Sequence, residues 1–222
     1  MTVLVAGGTG HLGTAVVREL LAAGYDVTAT WVVEREAERL AAEPVELVQA
    51  DLFDPDDVTK AVQSTEGLEA VVNLVGGYAE GARVHETEPD QFDGLMRLNV
   101  RPGFLLARAA MPVLIERGGG AFVGVSARAA LRPFPGAAGY IASKAAVLAF
   151  IQALDAEYKH DGIRCNAIVP SVIDTPANRT AQPDADYSKW VKPDEIARVV
   201  RFLVSDDSAP ISGAAVPVYG RA

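Results

Sequence analysis

The stretch Thr2-Val3-Leu4-Val5-Ala6-Gly7-Gly8-Thr9-Gly10-His11-Leu12-Gly13 decides the fold of this chain. Its apolar first part is typical of a buried strand, and the glycines that follow permit a tight turn. From Leu12 to Ala23 apolar residues recur at helical spacing, which predicts a helix. Glycines let backbone approach a pyrophosphate at a helix N-terminus, so this stretch predicts a dinucleotide site, with a purely structural turn as the alternative.

Strand-like and helix-like segments alternate along the rest of the chain. The predicted strands are 2–6, 26–32, 45–49, 70–75, 121–126, 163–169 and 214–218. The predicted helices are 12–23, 34–42, 55–64, 91–117, 138–160 and 193–204. Pro102 and Pro112 are expected to kink or divide the long fourth helix, and residues 174–192 to form an irregular lid. The pattern predicts an α/β fold: one doubly wound Rossmann domain over residues 1–222, with about seven mostly parallel strands and helices on both faces.

The composition excludes several classes of function. The 222 residues carry 20 basic and 29 acidic side chains, a net charge of −9 that disfavours a nucleic-acid partner. The single cysteine, Cys165, permits no intrachain disulfide and no multi-cysteine metal site. No apolar run approaches the roughly 18 to 20 residues that cross a bilayer. We therefore expect a cytoplasmic protein with a small-molecule substrate and neither a membrane nor a metal ion as partner.

The end of the second predicted strand bears on the choice of dinucleotide. An acidic residue there accepts hydrogen bonds from the adenosine ribose of NAD(H), but this chain has Trp31. Arg35 suits the 2′-phosphate of NADP(H), whereas Glu34 suits the ribose of NAD(H). NADP(H) is therefore favoured and NAD(H) is possible. Both charged residues also fit a solvated first turn of a helix.

A tyrosine and a lysine stand four residues apart on the fifth long predicted helix. At this spacing Tyr140 and Lys144 share a face. An ammonium group beside a phenol favours the phenolate and so promotes proton exchange with a substrate oxygen. A solvated surface pair is the alternative interpretation of these two residues alone.

Taken in order, these motifs resemble the short-chain dehydrogenase/reductase family over essentially the whole chain. The resemblance implies hydride transfer between a nicotinamide and a small carbonyl or quinonoid substrate, with Tyr140 as proton donor or acceptor. It implies that Lys144 binds the nicotinamide ribose and lowers the pKa of Tyr140, and that Asn99 holds a relay water. The implied catalytic residues are Tyr140, Lys144, Asn99 and Ser126. The residues expected at the cofactor are Gly7, Thr9, Gly10, His11, Leu12, Gly13, Trp31, Arg35, Asp51, Leu52, Asn73, Val75, Gly76, Tyr140, Lys144, Pro170, Ile173 and Thr175.

The serine departs from the family pattern. The family serine that orients the carbonyl usually precedes the tyrosine by 13 positions, which is Ala127 in this chain. Ser126 lies 14 positions before Tyr140. Either the loop 132–139 carries one extra residue and Ser126 acts, or the hydroxyl only bonds backbone at a strand end.

Several segments resemble one branch of the family, dihydropteridine reductase. These are the Val75-Gly76-Gly77-Tyr78 turn, the Ala127-Arg128-Ala129-Ala130-Leu131 segment and the lid with Tyr187 and Trp190. That branch has alanine at the serine position and reduces quinonoid dihydropterins. Asn99 and Trp31 depart from it. The lid aromatics either stack on a flat substrate or close the pocket against water.

Two other functions remain open, and the assembly is an expectation by resemblance. A nucleotide-binding sensor without turnover has little reason to keep Tyr140, Lys144 and Asn99 together. A nucleotide-sugar epimerase needs a larger C-terminal domain than this chain provides. In the family the helices that bear Asn99 and Tyr140 pair across a two-fold axis, so we expect a homodimer or homotetramer.

Overall fold

Seven strands alternate with eight helices in the computed structural model, which describes residues 1–221. The strands are β1 (Thr2–Ala6), β2 (Asp26–Trp31), β3 (Glu46–Gln49), β4 (Leu68–Asn73), β5 (Gly120–Val125), β6 (Ile163–Pro170) and β7 (Ala215–Val218). The helices are α1 (His11–Ala22), α2 (Glu34–Ala37), α3 (Pro55–Ser64), α4 (Pro89–Arg117), α5 (Arg128–Leu131), α6 (Ala138–Tyr158), α7 (Pro176–Ala181) and α8 (Pro193–Val204). The predicted alternation is confirmed.

All seven strands are parallel and lie in one sheet of order β3-β2-β1-β4-β5-β6-β7. Strand β2 lies on one side of β1 and β4 lies on the other, so the order of the strands reverses at β1. The loops after these strands therefore diverge at the carboxyl edge of the sheet and leave a crevice there, where doubly wound folds bind ligands. This confirms the predicted fold class.

Alternation of side chains along the strands builds one apolar core on each face of the sheet. In β1, Val3 and Val5 point to the face covered by α1 and α8, whereas Leu4 and Ala6 point to the face covered by α3, α4 and α6. This period of two follows from the pleat of a strand. Burial on both faces explains why the strands read as continuous apolar runs.

Of the two predicted outcomes for helix α4, a kink or a division at its prolines, the division does not occur. Pro102 and Pro112 both lie inside one continuous helix from Pro89 to Arg117. Pro102 is buried, and packing of α4 against α3, α6 and β4 offsets the backbone hydrogen bonds that the prolines cannot make. The helix is long and apolar enough to span a membrane by length and composition, but in this fold it is a core helix.

The segment 174–192 is more ordered than an irregular lid. Thr175 caps α7 by accepting a hydrogen bond from the Asn178 N–H, and Ile173 pairs with Val191 in a parallel bridge. The Tyr187 ring lies 4.7 Å from the ring of Trp190, which is buried. These contacts pack the two aromatic rings within the protein, which favours the interpretation other than stacking on a substrate.

Candidate active site

Three glycines of the first turn are required by the protein's own packing. Gly7 adopts a φ of +75°, and its N–H donates to Thr30 Oγ1 at 3.0 Å. A Cβ on Gly8 would lie 2.7 Å from the Ala29 Cβ, and one on Gly13 would overlap the Gly7 carbonyl oxygen. Helix α1 therefore packs directly on the turn, as close strand–helix packing requires.

Gly10 is different, because no contact within the protein demands a glycine there. A Cβ at this position would meet only the Gly7 carbonyl oxygen, at 3.5 Å, and the φ of −66° suits any residue. Gly10 is the N-cap of α1, whose first N–H groups face outward from the helix. This uncovered backbone fits the close approach of a cofactor pyrophosphate. Beside it, His11 is exposed and Leu12 packs against the core.

An arginine that sequence reasoning missed lies against the same turn. Arg39 Nη1 donates to the Thr9 carbonyl oxygen at 2.8 Å and lies 3.3 Å from a Glu36 carboxylate oxygen. Arg35 is exposed, and Trp31 is half-buried at the end of β2. The spacing of four between the two arginines is the signal that would have found Arg39. Two guanidinium groups therefore lie in the segment that follows β2, where doubly wound folds bind the adenosine ribose of NAD(H) or the 2′-phosphate of NADP(H).

The residues predicted after β3, β4 and β6 all lie at the carboxyl edge of the sheet. Asp51 is exposed and accepts a hydrogen bond from the Phe53 N–H, and its neighbour Leu52 is buried. Asn73 Oδ1 accepts from the Val75 N–H at 3.1 Å, which turns the chain out of β4 two residues earlier than predicted. Farther along this edge lie Pro170, which ends β6, Ile173 in its bridge and Thr175 as helix cap.

The predicted catalytic residues Asn99, Tyr140 and Lys144 lie around the loop after β4. Lys144 is buried on α6, and its Nζ donates to the Val125 carbonyl oxygen at 3.1 Å. A Cβ on Gly76 would lie 2.8 Å from Lys144 Nζ and 2.7 Å from Asn99 Oδ1, so only glycine fits between them. The structure thus brings together groups from the loop after β4, from α4 and from α6.

The Asn99 amide connects this loop to α6. Its Oδ1 accepts from the Gly77 N–H at 3.0 Å, and its Nδ2 donates to the Gly77 carbonyl oxygen and to Ser143 Oγ. The Ser143 hydroxyl in turn donates to the Tyr140 carbonyl oxygen at 2.8 Å. Every polar atom of the Asn99 side chain therefore helps to hold the loop against the helix that carries Tyr140 and Lys144.

Ser126 is turned toward backbone. Its buried hydroxyl donates to the Lys144 carbonyl oxygen at 2.7 Å, while its N–H pairs with the Ile168 carbonyl oxygen. Its proton is therefore used in a hydrogen bond to helix α6. This favours the interpretation that the hydroxyl only bonds backbone at the end of a strand. Ala127 follows it at the family position of the serine and offers no hydroxyl.

Burial shifts both titratable groups toward their neutral forms. It raises the pKa of Tyr140 to about 12 and lowers the pKa of Lys144 to about 8. A low dielectric disfavours a phenolate and an ammonium alike. The expectation that Lys144 lowers the pKa of Tyr140 does not hold for the protein chain by itself, because the effect of burial dominates there.

Comparison with known proteins gives consistent matches along the chain. A family model described as enoyl-(acyl carrier protein) reductase matches residues 8–220. The 2-(R)-hydroxypropyl-CoM dehydrogenase of Xanthobacter autotrophicus is 32% identical, over 98% of this chain and 96% of that protein. A solved structure titled short chain dehydrogenase/reductase family protein is 32% identical, with a TM-score of 0.92 over 99% of this chain and 96% of its own.

Two similar structures were solved with a nicotinamide dinucleotide. The gluconate 5-dehydrogenase of Burkholderia cenocepacia, in complex with NADP and tartrate, is 26% identical, with a TM-score of 0.90 over 99% of this chain and 93% of that one. The 3-ketoacyl-(acyl-carrier-protein) reductase of Brucella melitensis, complexed with NADH, is 26% identical, with a TM-score of 0.89 over 99% and 97%. Similar chains thus bind either dinucleotide.

Proposed function

The chain belongs to the short-chain dehydrogenase/reductase family and is an NAD(P)-dependent oxidoreductase, and from this premise we propose that it reduces a small planar carbonyl or quinonoid compound with NADPH. The observation that carries the proposal is the joint placement of Tyr140, Lys144 and Asn99 beside a serine position occupied by Ala127. The chain keeps the proton-transfer residues and has no hydroxyl at the position that orients a simple carbonyl.

The residues of the cleft fit a nicotinamide dinucleotide. Gly10 leaves the N-terminus of α1 open for the pyrophosphate, and Lys144 lies beside Gly76 in reach of the crevice. Pro170, Ile173 and Thr175 line the part of the sheet edge that the resemblance assigns to the nicotinamide. When bound, the cofactor supplies a hydride to the substrate carbon.

Tyr140 supplies the matching proton. Its raised pKa keeps the phenol protonated at neutral pH, so it can donate to the substrate oxygen as the carbon accepts hydride. The carbonyl π bond breaks, new C–H and O–H bonds form, and the phenolate is left on Tyr140. With a pKa of about 8, most of Lys144 is an ammonium at pH 7, and this charge stabilises the phenolate until it is reprotonated.

In this proposal Ser126 is a positioning residue: its hydrogen bond to the Lys144 carbonyl oxygen helps to place Lys144 on helix α6. The absent hydroxyl at Ala127 favours substrates whose oxygen needs little polarisation. Quinonoid rings have this property because their reduction makes the ring aromatic. Dihydropteridine-reductase-like activity is therefore the second candidate, and the resemblance of the Ala127–Leu131 segment supports it.

The preference for NADP(H) rests on Arg35 and Arg39. Arg39 lies at the glycine turn and Arg35 is free in solvent, while the half-buried Trp31 occupies the place of a ribose-binding carboxylate. A 2′-phosphate placed here gains charge-assisted hydrogen bonds. Glu34 would repel that phosphate and is the one residue that favours NAD(H).

The assembly that we propose is a homodimer or homotetramer in the cytoplasm. Phe104 and Ile115 are exposed on α4, and the Phe104 ring lies 6.3 Å from that of Phe150 on α6. This apolar strip spans the two helices that pair in the family. The working unit is a single domain, residues 1–222, of which Ala222 lies outside the described residues.

Parallel titration of the purified protein with NADPH and NADH, followed by nicotinamide fluorescence, tests the cofactor proposal. We expect NADPH to bind at least about tenfold more tightly, and an Arg35→Glu variant to reverse the order. A quinonoid dihydropterin, a planar ketone and an aliphatic ketone are then compared with the preferred reductant. Binding of neither dinucleotide would contradict the proposed site, and a preference for the aliphatic ketone would contradict the substrate class.

A further inference from the structure

Tyr78 packs directly on the catalytic tyrosine. The two ring centroids are 4.9 Å apart and the ring planes meet at 87°, an edge-to-face contact. Tyr78 belongs to the loop after β4, far from α6 in the sequence. Aromatic pairs in this geometry attract each other beyond the burial of their area, so each ring restrains the other.

The backbone around Tyr78 is held on both sides. On one side the Gly77 N–H and carbonyl oxygen are both bonded to the Asn99 amide, and a Cβ on Gly77 would lie 2.5 Å from Leu98 Cδ2. On the other side the Gly81 N–H donates to the Gly136 carbonyl oxygen at 2.9 Å, just before α6. The backbone on both sides of Tyr78 is thus fixed by hydrogen bonds, so the Tyr78 ring has a defined position beside Tyr140.

Much of the Tyr78 ring remains accessible. Its exposure of 44% contrasts with the partial burial of Tyr140 beside it. Burial and then the neighbouring Glu80 carboxylate raise the pKa of Tyr78, so the phenol stays neutral. Phe92 is also exposed and lies 3.4 Å from the position of a Cβ on Gly139, next to Tyr140. The entrance to the catalytic tyrosine is therefore bordered by accessible aromatic surface.

From this geometry we propose that Tyr78 is a specificity-determining residue: its ring supports a flat conjugated ring of the substrate and orients the substrate oxygen toward the Tyr140 hydroxyl. The two perpendicular rings form a corner. A planar substrate that reaches the Tyr140 hydroxyl lies flat on the accessible Tyr78 ring, whereas a flexible aliphatic chain gains little from that surface. The inference rests on the proposed function for its reaction and names the feature that selects the substrate.

The test compares two α-dicarbonyl compounds, planar isatin and flexible 3,4-hexanedione, as substrates of the full chain with NADPH. Tyr78→Ala should lower kcat/KM for isatin by about tenfold or more, mainly through KM, and by less than about threefold for the dione. Tyr78→Phe should stay within about threefold of the wild type with both. Tyr78→Leu, which keeps apolar bulk without a flat ring, should behave like Tyr78→Ala. Phe202→Ala, which removes an exposed aromatic ring on α8, serves as the matched control.

Equal losses with both substrates, or a shift in the pH profile for both, would mean that Tyr78 only shields Tyr140 and would overturn the inference. No loss with either substrate would overturn it as well. Calorimetric titration of the NADPH-bound Tyr140→Phe protein with isatin separates this inference from the proposed function. If the wild type turns over neither compound, the proposed function fails, and isatin binding that Tyr78→Ala weakens about tenfold would still support the Tyr78 contact. Isatin binding that is absent or indifferent to Tyr78 would contradict it.

Discussion

The glycine turn and the proposed catalytic centre around Asn99, Tyr140 and Lys144 are built in opposite ways. The turn is made from residues close together in the sequence. Gly7, Gly10 and Gly13 shape the backbone of a single strand–helix connection. The catalytic centre is assembled from distant segments, because Asn99 on α4 joins Gly77 after β4 to Ser143 on α6. A site of the first kind can be recognised from spacing, whereas a site of the second kind depends on how its segments pack.

The largest effect is expected at the catalytic centre. Tyr140→Phe removes the proton donor and leaves the packed ring, so kcat should fall by about 10²- to 10⁴-fold while the Kd for NADPH rises by less than about tenfold. Steady-state kinetics and fluorescence titration check the two quantities separately. A variant that kept the wild-type rate of substrate-dependent NADPH oxidation would exclude Tyr140 as the donor.

Two glycine variants test the glycine turn, the other region of the comparison. Gly13→Ala places a Cβ against backbone of the turn and should lower the free energy of unfolding by about 2–4 kcal/mol. Gly10→Ala has room for its Cβ and should unfold like the wild type, yet bind NADPH at least about tenfold more weakly. Urea denaturation and fluorescence titration measure these effects. If Gly10→Ala bound NADPH normally, the turn would not be the pyrophosphate site.

Lys144→Met is expected to stabilise the protein without cofactor while abolishing activity. Burial lowers the pKa of Lys144 from 10.5 to about 8. Below pH 8 the buried ammonium therefore lowers the free energy of unfolding of the wild type. The variant should gain about 1–3 kcal/mol at pH 7, less the lost hydrogen bond to Val125. Between pH 8 and pH 10.5 the wild type binds fewer protons when folded than when unfolded, so its free energy of unfolding rises with pH. The advantage of the variant should therefore disappear by pH 10.5. Urea midpoints at pH 7 and pH 10.5 that differ equally from the wild type would contradict this account.

The smallest effect is expected for Ser126→Ala. Loss of the hydrogen bond to the Lys144 carbonyl oxygen should cost about 1 kcal/mol of stability. The positioning role further predicts a shift in the pH profile of kcat, because Lys144 is displaced, with less than about a tenfold change in kcat. Val125→Ala, at the neighbouring last residue of β5, is the control for packing. A hundredfold loss of kcat with an unchanged pH profile would restore Ser126 as a group that contacts the substrate.

Most of the fold and part of the site were predictable. The strand–helix alternation predicted the sheet, and the spacing of four predicted that Tyr140 and Lys144 lie on one helix, because both features depend on residues close together along the chain. Whether Pro102 and Pro112 divide α4 could not be decided from the sequence, since local proline rules do not weigh the packing of Pro102. Arg39 was missed because its contact with Thr9 crosses from one connection to another.

By itself the sequence determined the α/β class, the glycine turn and the spacing of the catalytic pair, because these depend on residues close together along the chain. The tertiary structure decided what each group touches. It directs the Ser126 hydroxyl to a carbonyl oxygen of α6, packs Tyr78 against Tyr140, and raises the pKa of Tyr140 through burial. These outcomes depend on packing between segments and on the local dielectric, which no spacing along the chain encodes.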